Sequence, residues 1–78
     1  ENSTLANANL TKASLAGASC VEASLTFAKL NSCDLSRANL TGASLHGADL
    51  TKANLTSAIT KGTIFKFAQF DGTIGYKP

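Results

Sequence analysis

Residues 38–57 read ANLTG ASLHG ADLTK ANLTS, four unbroken five-residue units with one pattern: a small residue, a short polar residue, Leu, then two variable positions. The same frame runs outward through fourteen consecutive quintets from Ser3 to Gly72. Its first position is Ala in eleven of the fourteen, with Ser3, Cys33 and Thr63 in the others. Its third is Leu in ten, with Cys20, Thr60, Phe65 and Phe70 as the exceptions. A fixed period this long constrains the fold more than any local propensity, because each unit must bury its apolar residue against the next.

The period excludes the two ordinary ways of building a core. In an α-helix, residues five apart differ by about 140° around the axis, so the leucines would scatter over the whole cylinder. In a straight strand, an odd spacing sends Leu10, Leu15 and their successors to opposite faces. What remains is a chain that bends once per quintet. Positions one and three of each short strand then both point inward, and the chain coils around its own leucines.

The units ASLHG, ADLTK and ANLTS resemble the pentapeptide-repeat family, whose motif is A-[D/N]-L-x-x, and the resemblance covers about nine tenths of the chain. It implies an all-β fold, a right-handed quadrilateral β-helix with four quintets per coil. On that geometry the chain makes about three and a half coils, stacked at roughly 4.8 Å per layer. Residues 1–72 would form the solenoid and residues 73–78 a short C-terminal tail.

Laid out in coils, the first inner layer is Leu5, Leu10, Leu15 and Cys20, followed by Leu25, Leu30, Leu35 and Leu40, and then by Leu45, Leu50, Leu55 and Thr60. The first layer has no predecessor. The reading therefore expects an apolar end-stacking surface there, covered by further repeats, a second copy or another subunit, since solenoids cap such ends. At the other end the motif loosens. Phe65 and Phe70 take third positions and would fill the open column, Gly75 stands where a Leu belongs, and Ile74 and Tyr76 are placed to fold over the top as a thin cap.

Reactive chemistry has little to work with. Cys20 and Cys33 fall at inward positions, where buried free thiols are the simplest reading. The single histidine, His46, is outward with no Cys partner near it in sequence. The serines at second positions read as polar surface. No GxSxG elbow, HExxH pair or phosphate-binding loop is present. No catalytic residue, metal or cofactor is expected, and the chain reads as a non-enzyme. Asn2, Asn9, Asn39 and Asn54 begin N-x-S/T triplets, but A-N-L-T repeats generate these automatically.

Twenty-residue coils would stack Phe27, Gly47 and Phe67 in one column of fifth positions, with Thr26, His46 and Lys66 beside them at the fourth. The candidate partner-contact surface is therefore Phe27, His46, Gly47, Lys66 and Phe67, with two outward aromatics flanking a glycine gap that would make a groove. Charge separates the other functional classes. Family members that imitate DNA to bind a topoisomerase are acidic and longer, whereas this chain has 7 basic and 5 acidic residues and a formal net charge of +2. Nucleic-acid binding is disfavoured because that excess is small and interrupted by Asp34, Asp49 and Asp71. An ice-binding face would need ranked threonines, and the fourth positions on one wall run Thr11, Asn31, Thr51, Asp71. The reading is a structural or protein-interaction module, with a protein partner or self-association through coil ends. It has no apolar run long enough to span a membrane. It is expected to be soluble, in the cytoplasm or, from a cyanobacterial or plastid source, the thylakoid lumen.

Overall fold

The computed structural model describes residues 4–76. Ser3 at the start of the first quintet, and Lys77 and Pro78 of the tail, lie outside the described residues. Among the described residues there are eleven β-bridges, all parallel, and every one joins residues twenty apart, from Thr4 with Ser24 to Asn54 with Ile74. Four quintets therefore close one coil. The second positions form four walls: Thr4, Ser24, Ser44 and Ile64 on wall one; Asn9, Lys29, Asp49 and Gln69 on wall two; Ser14, Asp34, Asn54 and Ile74 on wall three; Ser19, Asn39 and Ile59 on wall four. The stack measures 27 × 23 × 22 Å.

The backbone explains why the unit is five residues long. The first-position N–H donates back to the preceding third-position carbonyl, as in Ala48 to Leu45 at 3.0 Å, and this closes a corner. The residue at the third place of that turn is the fifth position, and at all fourteen corners its φ lies between +57° and +70°. Such a turn requires a left-handed residue there. The second-position N–H donates to the coil below (Ser44 to the Ala23 carbonyl, 3.0 Å). The third- and fifth-position N–H groups donate to the coil above (Leu45 to Ile64, 2.7 Å; Gly47 to Lys66, 2.8 Å).

Only the fourth-position N–H is left over, and where the second position is Asn or Asp its side chain takes it. Thr41, Thr51 and Thr56 donate their amides to Oδ1 of Asn39, Asp49 and Asn54 at 3.0 Å, and Ser36 does so to Asp34 at the same distance. The Thr41 and Thr56 hydroxyls donate to the same oxygens at 2.6 Å. A backbone donor left unmet would cost free energy, and an Asx side chain reaching two residues on is the local device that meets it. The polar second position thus answers the backbone at its own corner.

Asp49 accepts three such bonds, from the Thr51 hydroxyl and amide and from Asn31 Nδ2 at 3.0 Å, and the Thr51 hydroxyl leads in holding its carboxyl below the usual range. Folding therefore favours the carboxylate. The stability it contributes is complete above the unfolded value of about 3.9 and is lost as pH falls through the lower folded value. Asp49→Asn keeps the acceptor, as Asn39 and Asn54 show, but removes the titration. Its melting temperature should fall less steeply than that of the parent between about pH 5 and pH 2. Parallel acid limbs for the two proteins would show that Asp49 contributes nothing to them.

Inside, Leu25, Leu30, Leu35, Leu40, Leu45, Leu50 and Leu55 are at most 1% exposed, with Ala23 through Ala53 and Cys33 between them at the first positions. Each such leucine contributes about 2 kcal/mol of burial before chain entropy. Thr63 and Thr73 replace Ala in the last coil. Their hydroxyls donate to the Leu40 and Leu50 carbonyls, at 2.6 and 2.7 Å, so neither is orphaned.

The two ends differ. Leu5, Leu10 and Leu15 are half-buried, whereas Cys20, placed with them in the expected end layer, is buried. At the C-terminal end the ladder runs through Ile74, two residues into the segment expected to be tail. Ile74 is 56% exposed and extends wall three, so it does not fold over the top as anticipated. Phe65, Phe70 and Tyr76 close the column, with Tyr76 stacked on Phe70 at 5.2 Å and tilted against Phe65 at 4.6 Å. Gly75 lets the chain cross inward, with φ +83° and no room for a Cβ.

Candidate partner-contact surface

The corner between walls one and two carries the expected column. Phe27, Gly47 and Phe67 hold its fifth positions with φ of 60°, 68° and 63°. Side chains rarely adopt this conformation, and for a bulky residue it is a genuine outlier. The closed ladder above and below enforces it here. His46 sits between the two phenylalanines, its ring edge-on to Phe27 (5.4 Å, 85°) and to Phe67 (5.4 Å, 77°). Lys66 Nζ lies 5.3 Å from the Phe67 ring centre, in cation–π range. All five candidate residues are therefore brought together.

The shape differs from a groove. A Cβ on Gly47 would lie 2.5 Å from Cδ1 and Cε1 of Phe27, so the Phe27 ring occupies the space over the glycine. What results is a ridge of three rings. Phe27 is 56% and Phe67 72% exposed. On the adjoining wall, Ser24, Thr26 and Ser44 share hydroxyl hydrogen bonds of 3.3 and 3.1 Å, a polar floor beside the ridge. No enclosed cavity forms among the described residues.

The thiols are placed away from this surface. Both are free and buried, and burial, with lesser contributions from Asp34 and Cys20, pushes Cys33 up to about 11. Cys20 is raised as well, chiefly by burial. At neutral pH both stay protonated, the unreactive form. No group of residues arranged to hold a metal occurs among the described residues.

Comparison with known proteins decides the family. The family model for pentapeptide repeats matches residues 1–26 and 18–56. The chain belongs to the pentapeptide-repeat family. No match is found among curated proteins. A solved pentapeptide-repeat protein from the thylakoid lumen of Arabidopsis thaliana is 34% identical, with a TM-score of 0.89 over 99% of this chain and 57% of its own. HetL, a pentapeptide-repeat protein involved in heterocyst differentiation regulation in the cyanobacterium Nostoc, is 38% identical over 92% of this chain and 38% of its own, with a TM-score of 0.60. Rfr23 from the cyanobacterium Cyanothece is 32% identical, covering 97% and 55%, with a TM-score of 0.58. The chain thus spans between about two fifths and three fifths of the length of these relatives. The fold is the right-handed quadrilateral β-helix of pentapeptide-repeat proteins. No helix among the described residues is long and apolar enough to cross a membrane.

Sequence reasoning passed over two functional details of this pentapeptide-repeat coil. The left-handed corner was signalled by Gly17, Gly42, Gly47, Gly62 and Gly72, all at fifth positions. The Asx bonds were signalled by Asn or Asp at second positions recurring with Thr two residues later.

Proposed function

We propose that this chain is a non-enzymatic protein-interaction module that presents the Phe27–His46–Phe67 ridge on a rigid wall. One observation carries the reading: two large aromatics occupy strained backbone positions while remaining more than half exposed. Burial cannot account for them, because most of their surface stays in water, whereas clustered exposed aromatics suit a contact site. Catalysis has no support of this kind, since the thiols are buried and protonated and the His46 ring packs edge-on against Phe27 and Phe67, neither of which can exchange a proton with it. The +2 charge argues against imitation of DNA. A thylakoid lumen, the source of one relative, is the compartment proposed with it.

A photo-crosslinker tests the placement. Benzoylphenylalanine at Phe67 in the native cell should give one discrete adduct, and the same group at Ser57, an exposed fifth position on another corner, should give none. Equal labelling at both sites, or none at Phe67, would remove the ridge from consideration.

A further inference from the structure

Five large apolar side chains are exposed among the described residues: Phe27, Ile59, Ile64, Phe67 and Ile74. Three of them, Phe27, Ile64 and Phe67, lie on wall one and the corner it shares with wall two. Ile64 replaces the serine that holds the same place in the two coils below. Ile64 therefore continues the ridge across the top of wall one, whereas Ile59 and Ile74 stand singly on walls four and three.

Charge sits around it in an ordered way. Lys61 and Lys66 occupy fourth positions of consecutive quintets, so they stand at the two corners bounding wall one, with Ile64 between them. Lys66 is held over the Phe67 ring. Among the described residues, the carboxylate bordering this wall is Glu22, two coils lower, with its Cγ against Gly42. Asp71 belongs to the next corner. The top of wall one is thus an apolar centre between two cations.

We propose that Lys61, Ile64, Lys66 and Phe67, continued downward by His46 and Phe27, dock a short acidic and apolar segment of a protein partner. The proposal rests on the ridge being a contact surface and adds the chemistry of what it contacts. Its carboxylates pair with the two lysines, and its apolar side chains cover Ile64 and Phe67. The stack spans 22 to 27 Å along its principal axes, so roughly seven or eight extended residues suffice to cross it in any direction. An anionic membrane is a poorer fit. Each basic residue near such a surface contributes only about 1 kcal/mol, and two lysines fall short of the four to eight that polybasic lipid sites gather.

Selection of random twelve-residue peptides displayed on phage against the full chain tests this, followed by fluorescence anisotropy of the enriched peptides. Asn is the substitution of choice at positions 27 and 67 because it accepts left-handed backbone, so the fold is retained. Enriched peptides should combine Asp or Glu with Leu, Ile, Phe or Trp. Their affinity should fall about tenfold or more in Phe67→Asn and in the Lys61→Glu, Lys66→Glu double variant. It should also weaken as NaCl rises from about 50 mM to about 500 mM. Peptides that need Phe67 but carry no acidic residue would overturn the partner chemistry and leave the ridge standing. Peptides indifferent to both Phe27→Asn and Phe67→Asn would overturn the ridge as well, and failure to enrich any peptide would overturn the proposal. Two further results would replace the occupant: co-sedimentation with phosphatidylserine vesicles, or concentration-dependent self-association abolished by Phe67→Asn.

Discussion

Leu45→Asp should abolish cooperative melting and leave a far-UV circular dichroism spectrum without the parent's β signal at room temperature. Leu45 is fully buried, in the column between Leu25 below and Phe65 above. The substitution removes a leucine whose loss alone costs about 2 to 5 kcal/mol. It also puts a carboxylate where neither water nor a cation can reach, for several kcal/mol more. Against a net stability of about 5 to 15 kcal/mol for a domain, the sum is enough to unfold it. Ser44→Asp is the control. Ser44 faces outward on wall one, where Asp34 and Asp49 show that other walls accept a carboxylate at this position. Its melting temperature should move by only a few degrees. A Leu45→Asp protein that melts like the parent would mean that the leucine column does not hold the coils together.

Gly75→Ala should cost about 2 kcal/mol, roughly 10 °C in melting temperature for a domain this small, and should free the tyrosine. A Cβ there would lie 2.6 Å from Thr56 N, 2.7 Å from its Cα and 2.9 Å from Leu55 C. All three are backbone atoms of the coil beneath, so no side-chain rotation relieves the overlap. The φ of +83° adds strain of its own. The chain end must lift, and Tyr76 then leaves Phe65 and Phe70. Because Tyr76 is the sole tyrosine and the chain has no tryptophan, intrinsic fluorescence reports that event directly. Acrylamide should quench the variant more strongly than the parent. Unchanged quenching and melting would show that Tyr76 does not close the column.

The leucine column was legible because its evidence is a period, and a period survives without any knowledge of side-chain direction. Leu25 to Leu55 at every fifth residue require one inward surface, and that surface is what the coils bury. Four units per coil were not legible from the residues. That number depends on how far the chain turns at each corner, and φ at residues such as Lys52 or Arg37 is imposed by the neighbouring coils rather than by their own preference. The ridge was half legible. Phe27 and Phe67 share a column in any reading with twenty-residue coils, but Gly47 between them reads as a gap until the lean of the Phe27 ring is known. Ile74 misled for a related reason. An apolar residue past the last leucine suggests a lid, whereas here the backbone ladder holds it on the outside.

The corner hydrogen bond closes from each quintet to its immediate successor at all fourteen corners, so every unit in the rod repeats the same bend. Angular address and height are consequently set by counting alone. Insertion or removal of twenty residues would raise or lower everything above it by one storey without changing its compass bearing. Removal of five, such as Ala53–Ser57, would swing the upper part through a quarter revolution and bring Phe67 above Gly42 and Glu22 instead of Gly47 and Phe27. Such a chain would still coil, yet its rings would no longer share an edge. The length of the chain between two surface residues, taken modulo twenty, is thus what decides whether they act together.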